Sequence, residues 1–488
     1  MKRIIQTIFL PSLVMFMAGC SKTLSKLPDN RTVITNTDQV TQLLTSAYPH
    51  ASYMSFTEPL SDNAEDKGAA PATADPESYQ INSQAYRFED VTTVKYDSPV
   101  AYWDSCYKAI AVANQALIYC NGADSAAFSA QKGEALVCRA YAHFMLVCLF
   151  AKPYDPATAA SDPGVPFVVK PQENVFQNYD RGTVATDFAN IESDLTRGLS
   201  LIQDKIYGTA PKFHFTQQAA HAFAARFYLF KQDYPKVISH ASAVFGAADP
   251  ASLIRDQVTR YATQQYGQLA ISYNQSSDPG NILLQETISS YFDNYAAYRY
   301  GYGQGLNSNF VNAANVTGGA YGIITYGATP QVFNFPKWNP YNVGDTRDGI
   351  RYGSAPLFSM EEVLMNRAEA YVRTGNQAAA ITDLNAWVSK NVKSYNPATH
   401  NVTAAKAVNY YQLPSDLALI EAALDFKRIT YMQEGLRWFD IIRLKRPVVR
   451  YAGSDFGTIV TTIAPTDKRR ILQLPAESAQ YGVAPNPR

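Results

Sequence analysis

Apolar residues recur at three- and four-residue steps through much of the first half of the chain. From Tyr102 to Tyr119, the residues Trp103, Tyr107, Ile110, Ala113 and Leu117 fall on one stripe, which predicts an amphipathic helix. Gln131 to Phe150 is apolar almost all round, the pattern of a helix buried on every side. Lys152-Pro153-Tyr154 and a Pro/Gly-rich connection through Pro166 break the pattern. Thr183 to Ile202 then resumes it, with Val184, Phe188, Ile191, Leu195 and Leu199 as the stripe.

Two stretches predict helical hairpins. In Phe215 to Phe245, a helix carrying Ala219, Ala220, Phe223, Ala224, Phe227 and Leu229 meets the short turn Lys231-Gln232-Asp233-Tyr234. Pro235 then opens a second helix, where proline is tolerated. Ser359 to Lys390 repeats the arrangement around Thr374-Gly375-Asn376. Small residues at close helical spacing, a tight turn and a returning helix describe hairpins of tetratricopeptide type, although no 34-residue period is sustained.

Between the hairpins, from about 247 to 355, the chemistry changes to Gly, Asn, Ser and Tyr, densest at Tyr291 to Tyr302. Turn formers beside so many rings predict loops and short strands. A second irregular stretch runs from about His50 to Pro99. Loops on a rigid scaffold are where binding residues gather. The two segments therefore supply the candidate ligand contacts: Asp62, Asn63, Arg87 and Tyr96 from the first, and Tyr295, Tyr298, Arg299, Tyr300 and Trp338 from the second. Sugar rings stack their C–H faces on aromatics and offer hydroxyls to amides, carboxylates and guanidinium groups, and these residues provide both kinds of partner.

The N-terminus reads as an address. Lys2 and Arg3 precede an apolar run from Ile4 to Met17, too short to span a membrane but suited to a secretory signal. Met17-Ala18-Gly19-Cys20 resembles a bacterial lipobox, in which Cys20 is acylated with palmitate-type chains. On this reading residues 1–19 are a signal peptide, 20–30 a lipidated tether and 31–488 one domain. Within that domain, a helical part (31–246) precedes the insert (247–355) and a second helical part (356–488).

Composition narrows the function. With 42 basic and 42 acidic residues the chain has no net charge, and no basic stripe points to nucleic acid. The 33 Tyr and 24 Phe leave rings to spare for a binding surface. Cys106, Cys120, Cys138 and Cys148 show no C-x-x-C spacing. The last two, ten residues apart on one helix, would be about 15 Å apart, too far to bridge. Buried thiols are expected. The six His show no metal-ligand spacing, and His214 and His221 read as structural. There is no G-x-S-x-G, no phosphate-binding loop and no carboxylate pair in a catalytic context, so neither catalysis nor a cofactor is expected.

Several segments, taken in order, resemble the SusD/RagB family of Bacteroidetes outer-membrane lipoproteins. Glu434-Gly435-Leu436-Arg437-Trp438-Phe439-Asp440-Ile441-Ile442-Arg443 looks like that family's Glu-Gly-x-Arg-x-x-Asp-Leu-x-Arg signature. Arg367-Ala368-Glu369-Ala370, the Trp103–Leu117 and Ala135–Pro153 helices, Leu474-Pro475-Ala476-Glu477 and the closing Pro485-Asn486-Pro487 look like its other motifs. One departure is the basic pair Lys427-Arg428, flanked by Phe426 and Thr430 where the family has acids.

The resemblance implies a mostly α-helical fold with four tetratricopeptide-like pairs and a loop-rich insert. It also implies a lipid-anchored, surface-exposed outer-membrane protein that binds glycan, or in RagB-like members peptide, and passes it to a SusC-like TonB-dependent transporter. Read on its own spacing, the signature (Glu434, Gly435, Arg437, Trp438, Asp440 and Arg443) is architectural, with charges at i, i+3 and i+6 placed to pair. A surface glycosidase and a purely structural transporter subunit are the rival readings.

Overall fold

The computed structural model describes residues 34, 36–68, 76–122, 125–171, 177–329, 332–341, 351–452 and 456–488. Cys20 and the 1–30 leader and tether lie outside them. Helices dominate, and several start where the sequence provides a cap. α1 (Thr37–Leu44), α2 (Met54–Leu60) and α3 (Pro76–Tyr86) precede the long pair α4 (Pro99–Cys120) and α5 (Ser129–Phe150). The Ser98 hydroxyl accepts from the Ala101 amide and Pro99 opens the first turn of α4, where its missing N–H costs nothing. α5 is buried along nearly its whole length, as its all-round apolar pattern predicts. Its length and hydropathy would suit a membrane span, but the residues of that window lie inside the protein.

α6 (Val184–Leu199) starts from a reciprocal cap between Thr183 and Thr186. α7 (Gln217–Lys231) and α8 (Tyr234–Phe245) form the first hairpin, turned by Gln232 at φ 64°. α9 (Met360–Arg373) and α10 (Gln377–Asn391) form the second, turned by Gly375 at φ +80°, a conformation glycine adopts without penalty. α11 (Ala404–Tyr411) and α12 (Ser415–Thr430) follow, then the short α13 (Leu436–Arg443). With α4–α5, these hairpins give four antiparallel pairs. α9 packs on α7 and α8, so the helical array continues straight across the insert.

The strands pair two by two: β1 (Glu65–Asp66) with β3 (Tyr300–Gly301), β2 (Asn281–Ile288) with β6 (Tyr352–Ser359), β4 (Tyr326–Thr329) with β5 (Val332–Asn334), and β7 (Val448–Ala452) with β8 (Thr458–Ile463). The β2–β6 ladder, from Asn281 opposite Ser359 to Ile288 opposite Tyr352, is the stem from which much of the insert hangs. Helices also occur where periodicity was silent. α3 turns Ser78 and Asn82 inward, where they bond Ser290 and the Tyr300 backbone, and a buried face built from polar residues leaves no apolar stripe to read.

One continuous core runs from Val40 to Val483. The four cysteines are free and buried. α5 and α6 approach closely at two glycines: a Cβ on Gly198 would lie 2.7 Å from the Gly133 carbonyl oxygen and 2.8 Å from a Val137 methyl. Gly198→Ala is therefore expected to cost about 1–3 kcal/mol through forced separation, despite alanine's better helix propensity. Urea unfolding measures it, and an unchanged midpoint would show that the two helices part freely.

The signature residues lock the start of the chain to its end. Gly435 (φ +73°) sits so close to α2 that a Cβ would meet the Thr57 hydroxyl at 2.1 Å. Its amide and that of Gln433 donate to Glu58 at 2.8 and 2.7 Å; burial pushes this carboxyl up to about 7 despite those bonds. Arg437 grips Asp62 with both forks of its guanidinium (2.8 and 2.9 Å). Asp440 takes Lys427 (3.1 Å) and Arg443 (2.7 Å), and Arg443 reaches on to Glu369 at 2.6 Å. Glu434 accepts from Tyr273 and Lys337, and Trp438 is buried beside Phe88. The basic pair thus finds its acids elsewhere: Lys427 at Asp440 on α13 and Arg428 at Asp62, with the Asn63 amide oxygen also accepting from Arg428.

Candidate ligand-binding cleft

The two irregular segments nominated by composition meet at β1–β3, where Glu65 pairs with Gly301 and Asp66 with Tyr300. The Asn82 side chain clasps the Tyr300 backbone from α3, donating to its carbonyl (2.7 Å) and accepting from its amide (3.2 Å). Against this junction the β7–β8 hairpin leaves a cleft of about 780 Å³. Its wall takes Glu65 and Asp66 from β1 with Lys67 just after it, Tyr86, Arg87 and Phe88 from the end of α3, Tyr300 and Gln304 from the insert, and Tyr451, Val460, Thr461 and Arg469 from the C-terminal region.

The back of the cleft is a stack. Tyr86 and Tyr300 lie ring on ring, centroids 4.1 Å apart and 16° from parallel, and the Arg450 guanidinium lies 4.0 Å from the Tyr86 ring centre. Arg450 is buried without a carboxylate partner. It donates instead to the carbonyls of Pro59 and Ser61 (both 2.6 Å), with Leu60 and Ala64 at 3.2 Å. These acceptors lie at and just beyond the C-terminal end of α2, where a cation is favoured. Burial lowers this guanidinium to about 10.

Both carboxylates in the wall are committed. Asp66 holds Arg299 with two 2.7 Å bonds. Glu65 accepts the Gly305 and Leu306 amides, each at 2.9 Å, and burial still pushes it up to about 7. Lys67 donates to the Ala296 carbonyl at 2.8 Å, and burial brings its ammonium down to about 8 against the pull of Glu65. At the mouth, Arg87 (side chain 45 % exposed) forks onto Glu89, and Arg469 (49 %) onto Asp467. Opposite them, Tyr451 stacks on Phe456 at 4.8 Å beside the exposed Val460.

Of the residues singled out from sequence, Arg87 and Tyr300 line this cleft, and Arg299 stands at its edge with its charge centre 5.1 Å from the Tyr300 ring centre. Asp62 lines a smaller neighbouring pocket of about 260 Å³ with Arg428 and Phe310. Burial favours its neutral form, but Arg428 and Arg437 outweigh this and hold it well below the usual carboxylate range. Asn63 is buried against Arg428.

Tyr96 is half-buried, with the Lys95 ammonium 5.1 Å from its ring centre, and lies outside the cleft's wall. Tyr295, Tyr298 and Trp338 are in the core. The Tyr295 hydroxyl donates to Phe335, Tyr298 packs near Tyr291, and Trp338 lies on Phe292. The C-terminal contribution was not anticipated, although the β-branched run Thr458-Ile459-Val460-Thr461-Thr462-Ile463 was a strand signal open to reading.

Residues 22–229 match a family of SusD-like proteins described as "Starch-binding associating with outer membrane". The chain is similar along almost its whole length to solved SusD-type structures. A putative sugar binding protein from Bacteroides vulgatus is 21 % identical, with 94 % of this chain and 99 % of that one covered and a TM-score of 0.67. A SusD superfamily protein from Bacteroides fragilis is 18 % identical (92 % and 99 % covered, TM-score 0.67).

The chain has the SusD-like fold.

A laminarin binding SusD-like protein also shares the fold, at 16 % identity, with 93 % and 100 % of the chains covered and a TM-score of 0.56. No protein of curated function matches this chain in sequence.

Proposed function

We propose that this SusD-like protein captures oligosaccharide in the 780 Å³ cleft without transforming it, and that it passes the sugar to a TonB-dependent SusC-like transporter from a lipid anchor at Cys20 in the outer membrane. The observation that carries this reading is the construction of the cleft. Three separate segments converge on a concave wall that combines aromatic and aliphatic surface (Tyr86, Tyr300, Tyr451 and Val460) with forked donors (Arg87 and Arg469). Such walls suit ligands with both C–H faces and hydroxyls. The relatives described as sugar-binding and laminarin-binding support the same class of ligand. Turnover has little to work with, because Glu65 and Asp66, the carboxylates of the described wall, are tied to backbone amides and to Arg299.

Peptide capture is the second reading, and one feature favours it. β8 pairs with β7 alone among the described strands, and its largely exposed residues border the cleft, so an extended peptide could add to its free edge.

Calorimetric titration of the purified chain against oligosaccharide and peptide panels tests the assignment. Saturable glycan binding with no product is expected, and Tyr451→Ala should weaken it about tenfold, the worth of one stacked ring with its buried area. Trp338→Ala and Tyr298→Ala, both in the core, should lower stability instead. Binding to peptides alone would move the function to the second reading, and an unaltered affinity in Tyr451→Ala would remove the ligand from this cleft.

A further inference from the structure

We infer that the ligand is anionic: an oligosaccharide carrying carboxylates or sulfate esters, recognised by the guanidinium groups of Arg87 and Arg469. This inference rests on the cleft being the glycan site. Among the described residues of its wall, four cations (Lys67, Arg87, Arg450 and Arg469) face two carboxylates (Glu65 and Asp66). Those carboxylates offset little of that charge. Asp66 is matched by Arg299, which stands outside the wall, and burial disfavours the ionised form of Glu65. Arg450 and Lys67 are fixed at the back by backbone carbonyls, Arg450 without a carboxylate partner and Lys67 within the pull of Glu65.

The two mouth arginines differ from the buried ones in a way that fits a ligand. Each is about half exposed, and each is held by an acid that does not itself line the cleft: Glu89 two residues along for Arg87, and Asp467 within the same turn for Arg469. These local acids orient the guanidinium planes without filling the space in front of them. Nε and one terminal nitrogen of each bond its acid, and Arg87 also donates to the Ser83 hydroxyl at 2.5 Å. The remaining N–H groups on the outer edge of each guanidinium suit the oxygens of a carboxylate or a sulfate. The low-dielectric wall of Phe88, Ile463 and Val460 would concentrate the field of the two sites. A neutral glycan would leave these groups to water, and a basic peptide would be repelled by them.

The test is titration of the full chain with oligogalacturonates, with the same oligomers methyl-esterified, with sulfated chondroitin fragments, and with neutral malto-, laminari- and xylo-oligosaccharides. Anionic sugars are expected to bind at least tenfold tighter than neutral ones and to lose about tenfold in affinity between 0.1 and 0.5 M NaCl, as exposed charges are screened. The uronate and sulfate arms separate the two anion types, and the methyl esters remove charge while keeping the backbone. Arg87→Gln and Arg469→Gln, both at exposed positions, should each weaken the anionic ligand about tenfold, as expected for loss of a charge-assisted hydrogen bond. Tighter binding of a neutral glycan, or indifference to both substitutions, would overturn the inference and leave the glycan reading intact. Binding of peptides only would overturn both.

Discussion

Glu362→Gln is expected to lower the free energy of unfolding by about 3–5 kcal/mol, the range for stripping one partner from a buried ion pair. Glu362 on α9 takes the Arg226 guanidinium of α7 in a two-pronged contact of 2.6 and 2.5 Å, and both side chains are almost wholly buried. Arg226 also donates to the Leu357 carbonyl at 2.7 Å and lies 4.0 Å from the Phe358 ring centre. Glutamine keeps the shape but removes the charge, leaving a guanidinium in the core with no counter-ion. Denaturant unfolding at neutral pH would measure the loss. Replacing both residues by methionine should recover more than half of it, because no buried charge then remains unpaired. A single substitution costing under 1 kcal/mol would mean that water reaches this pair.

Arg450→Leu is the second large effect, and it should appear in two measurements at once. Removing the guanidinium strips the α2 end of its donors and leaves backbone carbonyls buried without partners, each at about 1–3 kcal/mol when nothing replaces the bond. Partial relaxation should hold the total to roughly 2–4 kcal/mol. The same change frees the rear face of Tyr86, so the Tyr86–Tyr300 stack behind the cleft loses its support and ligand affinity should fall about tenfold. Arg450→Lys should restore part of the stability but little of the affinity, since an ammonium cannot both cap several carbonyls and lie flat on a ring. Unchanged stability in the leucine variant would contradict the capping role.

The helical hairpins were legible because their signals are local. Small residues at three- and four-residue spacing, a short polar turn and Pro235 just after it define α7–α8, and Thr374-Gly375-Asn376 does the same for α9–α10. The position of the cleft was partly legible: turn formers mixed with rings marked both segments that meet at β1–β3. Which rings face the ligand was not. In an irregular backbone no period separates inside from outside, so Tyr295 and Trp338 read the same as Tyr300, yet of these three buried rings Tyr300 alone lines the cleft. Glu58 and Glu65 were invisible for another reason. Their partners are backbone amides more than 200 residues away along the chain, and an amide has no letter in the sequence.

The β2–β6 stem has an evolutionary consequence. Ile288 faces Tyr352 on one rung, so residues 289–351 leave and return at a single point of the scaffold. The entropic cost of closing such an excursion grows only with the logarithm of its length, about 0.6 kcal/mol per doubling. Mutation can therefore lengthen, trim or rewrite the exposed turns of that stretch while the rings it sends into the core, Tyr295, Tyr298 and Trp338 among them, stay in place and the helical array keeps its stability. New ligand preferences become accessible by small steps, none of which has to pass through an unfolded protein.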